Sequence, residues 1–203
     1  MGPKQGGARN DWAGDAYKVG FFDGGSRGNP GPGGSGSVII EMDGETGDTW
    51  PIWAAATALG RRDTTNNLAE FIGLHRLLAH AVAQDSKGLH VVGDSAMILR
   101  MMRTKKRPKA KKLQALFNTT SRLADICRVE SWSHHYREHN KMADWLANVA
   151  MDNKKSVMIT FRVDGSRQEM EKGLETRMEG DMRHWEEKNT KDATATEGQQ
   201  REA

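Results

Sequence analysis

The sequence predicts an α/β domain built on one mixed β-sheet. Three apolar stretches with strand character come first, and a helix, a strand, two helices, a strand and a helix follow them. Strands joined by hairpins pair antiparallel, whereas strands joined through helical crossovers pair parallel. The length points the same way, since 203 residues hold one domain of ordinary size together with tails.

Five stretches have the short apolar or alternating character of strands. The first stops at Asp23 and the fourth closes on Asp94. The third, WPIWAAATAL, contains alanines that would also suit a helix. The predicted strands span residues 18–22, 37–42, 50–59, 89–92 and 129–137.

Apolar residues at spacings of three and four mark the helices between these strands. In the clearest case Leu68, Phe71 and Leu74 share one face of a helix that starts at Asn67 and ends near Asp85. The predicted helices span residues 67–85, 96–102, 113–127 and 142–151.

The chain divides into a leader, a domain and an extension, expected at residues 1–15, 16–153 and 154–203. The leader is rich in glycine and polar residues and is expected to be disordered. In the extension, alternation at Val157, Ile159, Phe161 and Val163 predicts a strand. A helical stripe follows at Met170, Leu174, Met178, Met182 and Trp185. This helix either folds onto the domain or binds a partner, and residues after Lys188 are expected to be disordered.

Composition favours an intracellular, soluble protein. Hydrophobic residues are 36% and the mean hydropathy is −0.73. No segment approaches the roughly 18 uninterrupted apolar residues of a membrane helix, and the N-terminal residues lack the apolar centre of a signal peptide. A single cysteine, Cys127, excludes an internal disulfide and a cysteine-based zinc site.

Positive charge is concentrated in one short run. The net charge is only +3, but seven of the ten residues at 103–112 are Lys or Arg. Local charge density attracts phosphate more effectively than total charge does. The run is therefore either a nucleic-acid contact or a solvated loop.

Four acids occupy the ends or first turns of predicted elements. Asp23 and Asp94 end strands, Glu70 lies one turn into a helix, and Asp144 lies in the first turn of another. Each acid alone is compatible with a helix cap or a surface charge. Together they would repel one another at the carboxyl edge of the sheet unless a cation intervened, and oxygen ligands suit Mg²⁺.

Short motifs surround each of these acids. They are DGGS at 23–26 with GNPGPGG at 28–34, TTNN at 64–67 with Glu70, GDS at 93–95, and RE at 137–138 with Asn140, AD at 143–144 and LAN at 146–148. In this order they resemble the motifs of type 1 ribonuclease H over roughly residues 18–151. The resemblance implies a five-stranded mixed sheet flanked by helices, here with a C-terminal strand and helix appended. It also implies endonucleolytic cleavage of the RNA strand of RNA–DNA hybrids.

The resemblance also implies a metal site. Asp23, Glu70, Asp94 and Asp144 would hold two Mg²⁺ ions, with Mn²⁺ as a substitute. Two ions about 3.5–4 Å apart activate a water and stabilise the leaving oxygen of the phosphodiester. The glycines and prolines behind Asp23 are expected to turn the chain beneath the scissile strand and allow close backbone approach.

Nucleic-acid contacts are implied at a second set of residues. Amides and hydroxyls bind phosphates, sugars and 2′-OH groups without demanding a base sequence, although the same groups also cap helices and turns. The residues implied are Gly24, Asn29, Thr65, Asn66, Asn67 and Ser95. The chain lacks the long basic protrusion of some relatives and has only the loop at 103–112, so its grip on the hybrid is expected to be weaker. Lys105, Lys106 and Arg107 of this loop are expected to contact the nucleic acid.

The link before the last aspartate departs from many relatives. They carry a histidine in a glycine-containing loop, whereas here the link is the short REHN at 137–140, as in a branch of the family with a shortened loop. His139 is near enough in sequence to assist the metals and is a candidate catalytic residue.

Other functions remain open at this point. A catalytically silent domain could hold nucleic acid on the same fold, although the presence of all four acids argues against it. The chain could also be the ribonuclease H portion of a retroelement polyprotein. A nucleotide-binding protein is disfavoured because no Gly-Lys-Ser/Thr follows the glycines.

Overall fold

Six strands and five helices make up the part of the chain that this computed structural model describes, residues 16–161 and 169–201. The strands are β1 (Ala16–Ser26), β2 (Gly31–Asp43), β3 (Thr49–Thr64), β4 (Leu89–Gly93), β5 (Ser131–His134) and β6 (Val157–Thr160). The helices are α1 (Asn66–Ala83), α2 (Ala96–Thr104), α3 (Lys111–Cys127), α4 (Lys141–Asn153) and α5 (Glu169–Arg201), and a 3₁₀ turn spans Arg137–His139.

The strands form one mixed sheet in the order β5-β4-β1-β2-β3-β6. The hairpin-linked strands β1, β2 and β3 pair antiparallel, while β4 pairs parallel with β1 and with β5 across helical crossovers. The mixed sheet that the element order predicts is thus confirmed. It has six strands rather than five because β6, from the C-terminal extension, pairs antiparallel with β3.

Helices cover both faces of the sheet. Phe21 and Phe22 are neighbours on β1 and therefore face opposite layers. Phe22 packs in the layer that contains α1 and α3, and Phe21 packs in the layer that contains α4 and α5. Both rings are fully buried, and burial of each stabilises the fold by about 1.5–3 kcal/mol.

Glycines of the first hairpin bring the two helical layers close to the sheet. A Cβ on Gly36 of β2 would lie 2.0 Å from the carbonyl oxygen of Ala143 in α4. A Cβ on Gly24 of β1 would lie 2.2 Å from the backbone carbon of Ala69 in α1. Backbone contact this close requires glycine, so these positions set the distance from the sheet to both helices.

The first hairpin differs from the sequence prediction. The chain was expected to turn directly behind Asp23, but β1 continues to Ser26 and β2 already begins at Gly31. The turn lies at residues 27–30, where Gly28 and Asn29 have positive φ. Ladder pairs such as Asp23 with Gly36 hold these glycines in strands despite their low strand propensity.

The C-terminal extension also differs from the prediction. Strand β6 ends at Thr160, and Phe161, which was predicted to belong to the strand, donates its N–H to the carbonyl of Ile52. Val163 and the leader at 1–15 lie outside the described residues. The apolar stripe of α5 packs on the domain, with Leu174, Met182 and Trp185 buried. The helix continues past Lys188 to Arg201, where disorder was expected; this stretch has no proline and several good helix formers. No described helix is long and apolar enough to cross a membrane.

Candidate active site

Three carboxylates meet where the parallel pairing of β1 with β4 ends. Phe22 of β1 pairs in register with Gly93 of β4, and the next residues along the two strands are Asp23 and Asp94. Glu70 reaches the same place from α1, which packs against β1. One oxygen from each carboxylate lies within 4.8 Å of one from each of the others. The sheet register and one helix contact therefore bring three of the four predicted metal-site acids together.

These carboxylates resist ionisation together. Burial raises the pKa of Asp23 to about 8, with the charge of Asp94 as the second cause. Burial likewise raises the pKa of Glu70 to about 7, against a hydrogen bond from the Ser95 hydroxyl that lowers it. The pKa of Asp94 is also raised by burial, although the Arg137 guanidinium opposes the shift. Like charges in a poorly solvated site favour the neutral acids until a cation compensates them.

Oxygens without donors show that this cluster fits a divalent metal. Glu70 Oε2 and Asp94 Oδ1 are buried and have no hydrogen-bond partner among the described residues. A buried acceptor left unpaired costs free energy, and a hard cation with oxygen ligands removes that cost. Asp23 Oδ1, by contrast, accepts a hydrogen bond of 2.6 Å from the N–H of Gly24.

The fourth acid, Asp144, is placed differently. It lies in the first turn of α4, and its carboxylate forms an ion pair of 2.9 Å with Nε of Arg137. The Nδ2 of Asn148 also donates to Asp144 Oδ2 at 3.3 Å. The side chain is 28% exposed. Asp144 thus borders the three-carboxylate cluster with its charge already compensated.

All four acids line one open cavity of about 560 Å³. Its other walls come from the β1 hairpin, the start of α1, Arg137 and α4. Of the predicted nucleic-acid contacts, Gly24 and Asn66 line this cavity. Arg137 and Asn148 were not assigned roles from the sequence, although both stand in motifs that flank Asp144.

Residues predicted to contact the nucleic-acid backbone also stabilise the first turn of α1 within the protein. The Oγ1 of Thr65 accepts from the N–H of Leu68, and Oδ1 of Asn29 accepts from the N–H of Asn66. The N–H of Ser26 donates to Oδ1 of Asn66. These hydrogen bonds use side-chain oxygens, so the amide NH₂ groups of both asparagines stay available as donors to phosphate.

A second groove of about 530 Å³ lies on the other side of this turn. It is lined by Asn29, Thr65 and Asn67 together with Lys111 and Lys112 at the start of α3. The basic run thus reaches the predicted nucleic-acid contacts through its last two lysines. Sequence reasoning selected other members of the run, because local charge density does not show which side chains face a groove.

The basic residues selected from the sequence are directed elsewhere. Lys105 pairs with Asp125 of α3 at 2.6 Å, and Arg107 Nε donates to Asn118 Oδ1 at 3.2 Å. Neither these two residues nor Lys106 lines either of the two cavities.

His139 stands apart from the acids. It lies in the 3₁₀ turn, and its ring stacks on His184 of α5 with centroids 3.7 Å apart and an interplanar angle of 4°. It is not among the residues that line the cavity of the acids. The sequence placed His139 near Asp144 but could not show that α5 would occupy its ring face.

Comparison with known proteins agrees with this geometry. Residues 21–150 match the family described as reverse transcriptase-like. A bifunctional protein of Mycobacterium tuberculosis is 37% identical over 130 residues, which are 64% of this chain and 34% of that protein. A ribonuclease HI of Halobacterium salinarum is 32% identical over 149 residues, covering 66% of this chain and 63% of the relative. The chain therefore spans about a third of the length of its mycobacterial relative.

Solved structures resemble the same region. The N-terminal RNase H domain of a Mycobacterium tuberculosis protein, solved as a fusion with maltose-binding protein, aligns with a TM-score of 0.61 and 34% identity, covering 68% of this chain and 96% of that one. LC11-RNase H1 in complex with an RNA/DNA hybrid aligns with a TM-score of 0.57 and 30% identity, covering 68% and 98%.

Proposed function

The chain belongs to the reverse transcriptase-like family, and on that premise we propose that it is an endonuclease that hydrolyses the RNA strand of RNA–DNA hybrids. The observation that carries the proposal is the convergence of Asp23, Glu70 and Asp94 within 4.8 Å in an open, polar cavity. Support comes from relatives that are named ribonucleases H, one of which was solved with an RNA/DNA hybrid.

Asp23, Glu70, Asp94 and Asp144 are proposed to hold two Mg²⁺ ions, with Mn²⁺ as a substitute. When bound there, such ions activate a water and stabilise the leaving oxygen of the phosphodiester. Asp23 and Glu70 must lose their protons to act as ligands, which their raised pKa values oppose at neutral pH. Arg137 holds Asp144 until a cation competes for that carboxylate.

The surfaces beside the acids are proposed to hold the hybrid by its backbone. On the site side the amide NH₂ of Asn66 is the proposed donor, with Gly24 and Ser95 beside it, because the N–H of Gly24 and the hydroxyl of Ser95 already donate to Asp23 and Glu70. Asn29, Thr65 and Asn67 share the second groove with two lysines, and together they would grip phosphates of the hybrid. Hydrogen bonds to 2′-OH groups would distinguish RNA from DNA at the cut strand.

Incubation of an end-labelled hybrid with and without Mg²⁺ tests the proposal. We expect internal cuts in the RNA strand that require Mg²⁺ or Mn²⁺ and stop with chelator, and an intact DNA strand. Duplex DNA of the same sequence is the matched control and should stay uncut. Comparable cleavage of duplex DNA would contradict the substrate assignment. Tight binding of the hybrid without cleavage would instead favour a silent nucleic-acid-binding domain.

A further inference from the structure

The C-terminal helix α5 contacts the segment that leads to Asp144. Besides its buried apolar stripe, Gly173 of α5 lies against Trp145, where a Cβ would come within 2.4 Å of the indole ring. The guanidinium of Arg177 lies 4.8 Å from the centroid of the same ring. The helix is therefore packed directly on α4, next to the residue that follows Asp144.

Contacts from α5 also fall on residues 134–142, which run from the end of β5 into the first turn of α4. The Nζ of Lys188 donates to the carbonyl of His134 at 2.6 Å, and His184 stacks on His139. The Oδ2 of Asp181 accepts a hydrogen bond of 2.8 Å from the N–H of Met142. This short segment also carries Arg137, the ion-pair partner of Asp144.

The contact from Asp181 takes the place of a local helix cap. Asn140 occupies the N-cap position of α4, yet its side chain makes no capping hydrogen bond. Its Nδ2 donates instead to the carbonyl of Phe22, directly before Asp23, at 3.0 Å. Asn140 therefore ties α4 to β1, while Asp181, 39 residues distant from Met142 in the chain, supplies the acceptor for the first turn.

Burial of the Asp181 side chain is unfavourable if it serves packing alone. Its side chain is completely buried, and Oδ1 has no hydrogen-bond partner among the described residues. A buried carboxylate is costly, and an apolar residue of similar volume would pack the interface without that cost. Its fixed acceptor at the start of α4 is the feature that an apolar residue could not reproduce.

We propose that Asp181 is a positioning residue for the metal site, holding the first turn of α4 so that Asp144 faces the three-carboxylate cluster. The proposal rests on the proposed function for its consequence in catalysis. The other three acids are fixed by the sheet register and by α1, so loss of Asp181 should disturb Asp144 alone.

Substitution of Asp181 with a direct readout of metal binding tests this proposal. In Asp181→Ala, the Mg²⁺ concentration at the midpoint of the Asp144 amide shift, followed by ¹H–¹⁵N correlation spectra, should rise about 3- to 10-fold, less than the 10- to 100-fold typical of direct ligand partners. The midpoint reported by the Glu70 amide should stay unchanged. In cleavage assays, half-maximal activity should require correspondingly more Mg²⁺, while KM for the hybrid stays near the wild-type value.

Three control variants separate positioning from stability. Asp181→Asn keeps an acceptor of equal capping quality. It should return the Asp144 amide midpoint and the Mg²⁺ concentration for half-maximal cleavage to their wild-type values. Leu174→Ala destabilises the α5 interface by a cavity and should lower the melting temperature without moving the Asp144 midpoint. Asp181→Leu fills the volume without an acceptor and should behave as Asp181→Ala does, which keeps the test available if the alanine variant does not fold.

The possible outcomes are distinguishable. An unchanged Asp144 midpoint in a folded Asp181→Ala or Asp181→Leu variant overturns the proposal. Failure of both variants to fold, while Asp181→Asn folds, also overturns it and makes Asp181 a stability determinant only. If wild-type protein binds Mg²⁺ but does not cut hybrid, the proposed function fails, and the amide midpoints still decide whether Asp181 positions Asp144.

Discussion

The three clustered acids and Asp144 occupy two physically different settings at the same cavity. Asp23, Glu70 and Asp94 are desolvated and repel one another, and one oxygen each of Glu70 and Asp94 has no hydrogen-bond partner among the described residues. Asp144 is more exposed and forms an ion pair with Arg137. The negative charge of the cluster therefore lacks a compensating cation, whereas Asp144 is paired with Arg137 and must leave that ion pair to bind metal.

The two settings also differ in how the backbone is held. The cluster depends on the β1–β4 register and on the close contact of Gly24 with α1, both within the central sheet. Asp144 depends on α4, whose first turn is held to β1 by Asn140 and to α5 by Asp181. The Asp144 half of the site therefore depends on a contact from α5, and the cluster half depends on the sheet and α1.

The strongest test of this contrast is Asp94→Asn. Loss of a cluster carboxylate should abolish hybrid cleavage, because the remaining acids cannot hold the ions in place. The metal-free variant should be folded and should melt a few degrees higher than wild type, because a repelling charge has been removed. Cleavage assays and thermal unfolding in chelator check both parts. Full activity in this variant would exclude the metal-site assignment.

Asp144→Asn should have a smaller effect. The three-carboxylate cluster stays intact and can still bind metal, so kcat should fall by about 10- to 100-fold rather than vanish. Because Arg137, the partner in the ion pair that is removed, is 70% exposed, stability should change by about 0–1 kcal/mol. Single-turnover kinetics at saturating hybrid measure the first quantity, and urea unfolding measures the second. Equal losses in Asp144→Asn and Asp94→Asn would remove the distinction between the two halves.

The pH dependence of stability should come from the cluster. Asp23 and Glu70 have pKa values of about 8 and about 7 in the folded protein, against 3.8 and 4.5 as ordinary values. Above about pH 4 the unfolded chain loses these protons, while the folded chain keeps that of Glu70 up to about pH 7 and that of Asp23 up to about pH 8, so stability falls as the pH rises through this window.

Thermal unfolding in chelator at pH 5, 7 and 9 measures this effect. The melting temperature should fall with pH, by about 2–4 °C for each kcal/mol lost, and Mg²⁺ should reverse the fall at high pH. The double variant Asp23→Asn/Glu70→Gln is the control and should show a much flatter dependence. The same slope in that variant would place the titrating groups outside the cluster.

The smallest expected effect concerns the second groove, which is lined by Lys111 and Lys112. Lys111→Ala/Lys112→Ala removes two charges from the groove that also contains Asn29 and Thr65, so KM for hybrid should rise while kcat is kept. The plot of log affinity against log salt should become shallower, by about 0.9 for each phosphate of a B-form duplex that the variant no longer neutralises.

Lys105→Ala/Lys106→Ala is the matched variant from the same basic run. Because Lys105 and Lys106 line neither cavity, whereas Lys111 and Lys112 line the second groove, this pair should change KM and the salt slope less than the groove pair does. A larger effect of Lys105→Ala/Lys106→Ala than of Lys111→Ala/Lys112→Ala would indicate that the residues selected from the sequence contact the nucleic acid.

The sequence predicted the cluster well because its information is local. Each acid stands in a short motif at the end or in the first turn of a periodic element, whereas the adjacency of β1 and β4 that puts Asp23 beside Asp94 comes from the structure. The extent of β1 and β2 was not predictable, since hairpin pairing overrides the weak strand propensity of their glycines. The same limit applies to the roles of Asp181 and the groove lysines, because contacts between elements distant in sequence leave no local pattern.

The contact of α5 with Trp145 also supplies an optical signal. Gly173 and Arg177 border the indole, so any separation of α5 from the domain would alter the polarity and quenching around that ring. A variant in which the other five tryptophans are replaced by phenylalanine would emit from Trp145 alone. Its fluorescence would report docking of α5 in real time while hybrid binds, is cut and leaves.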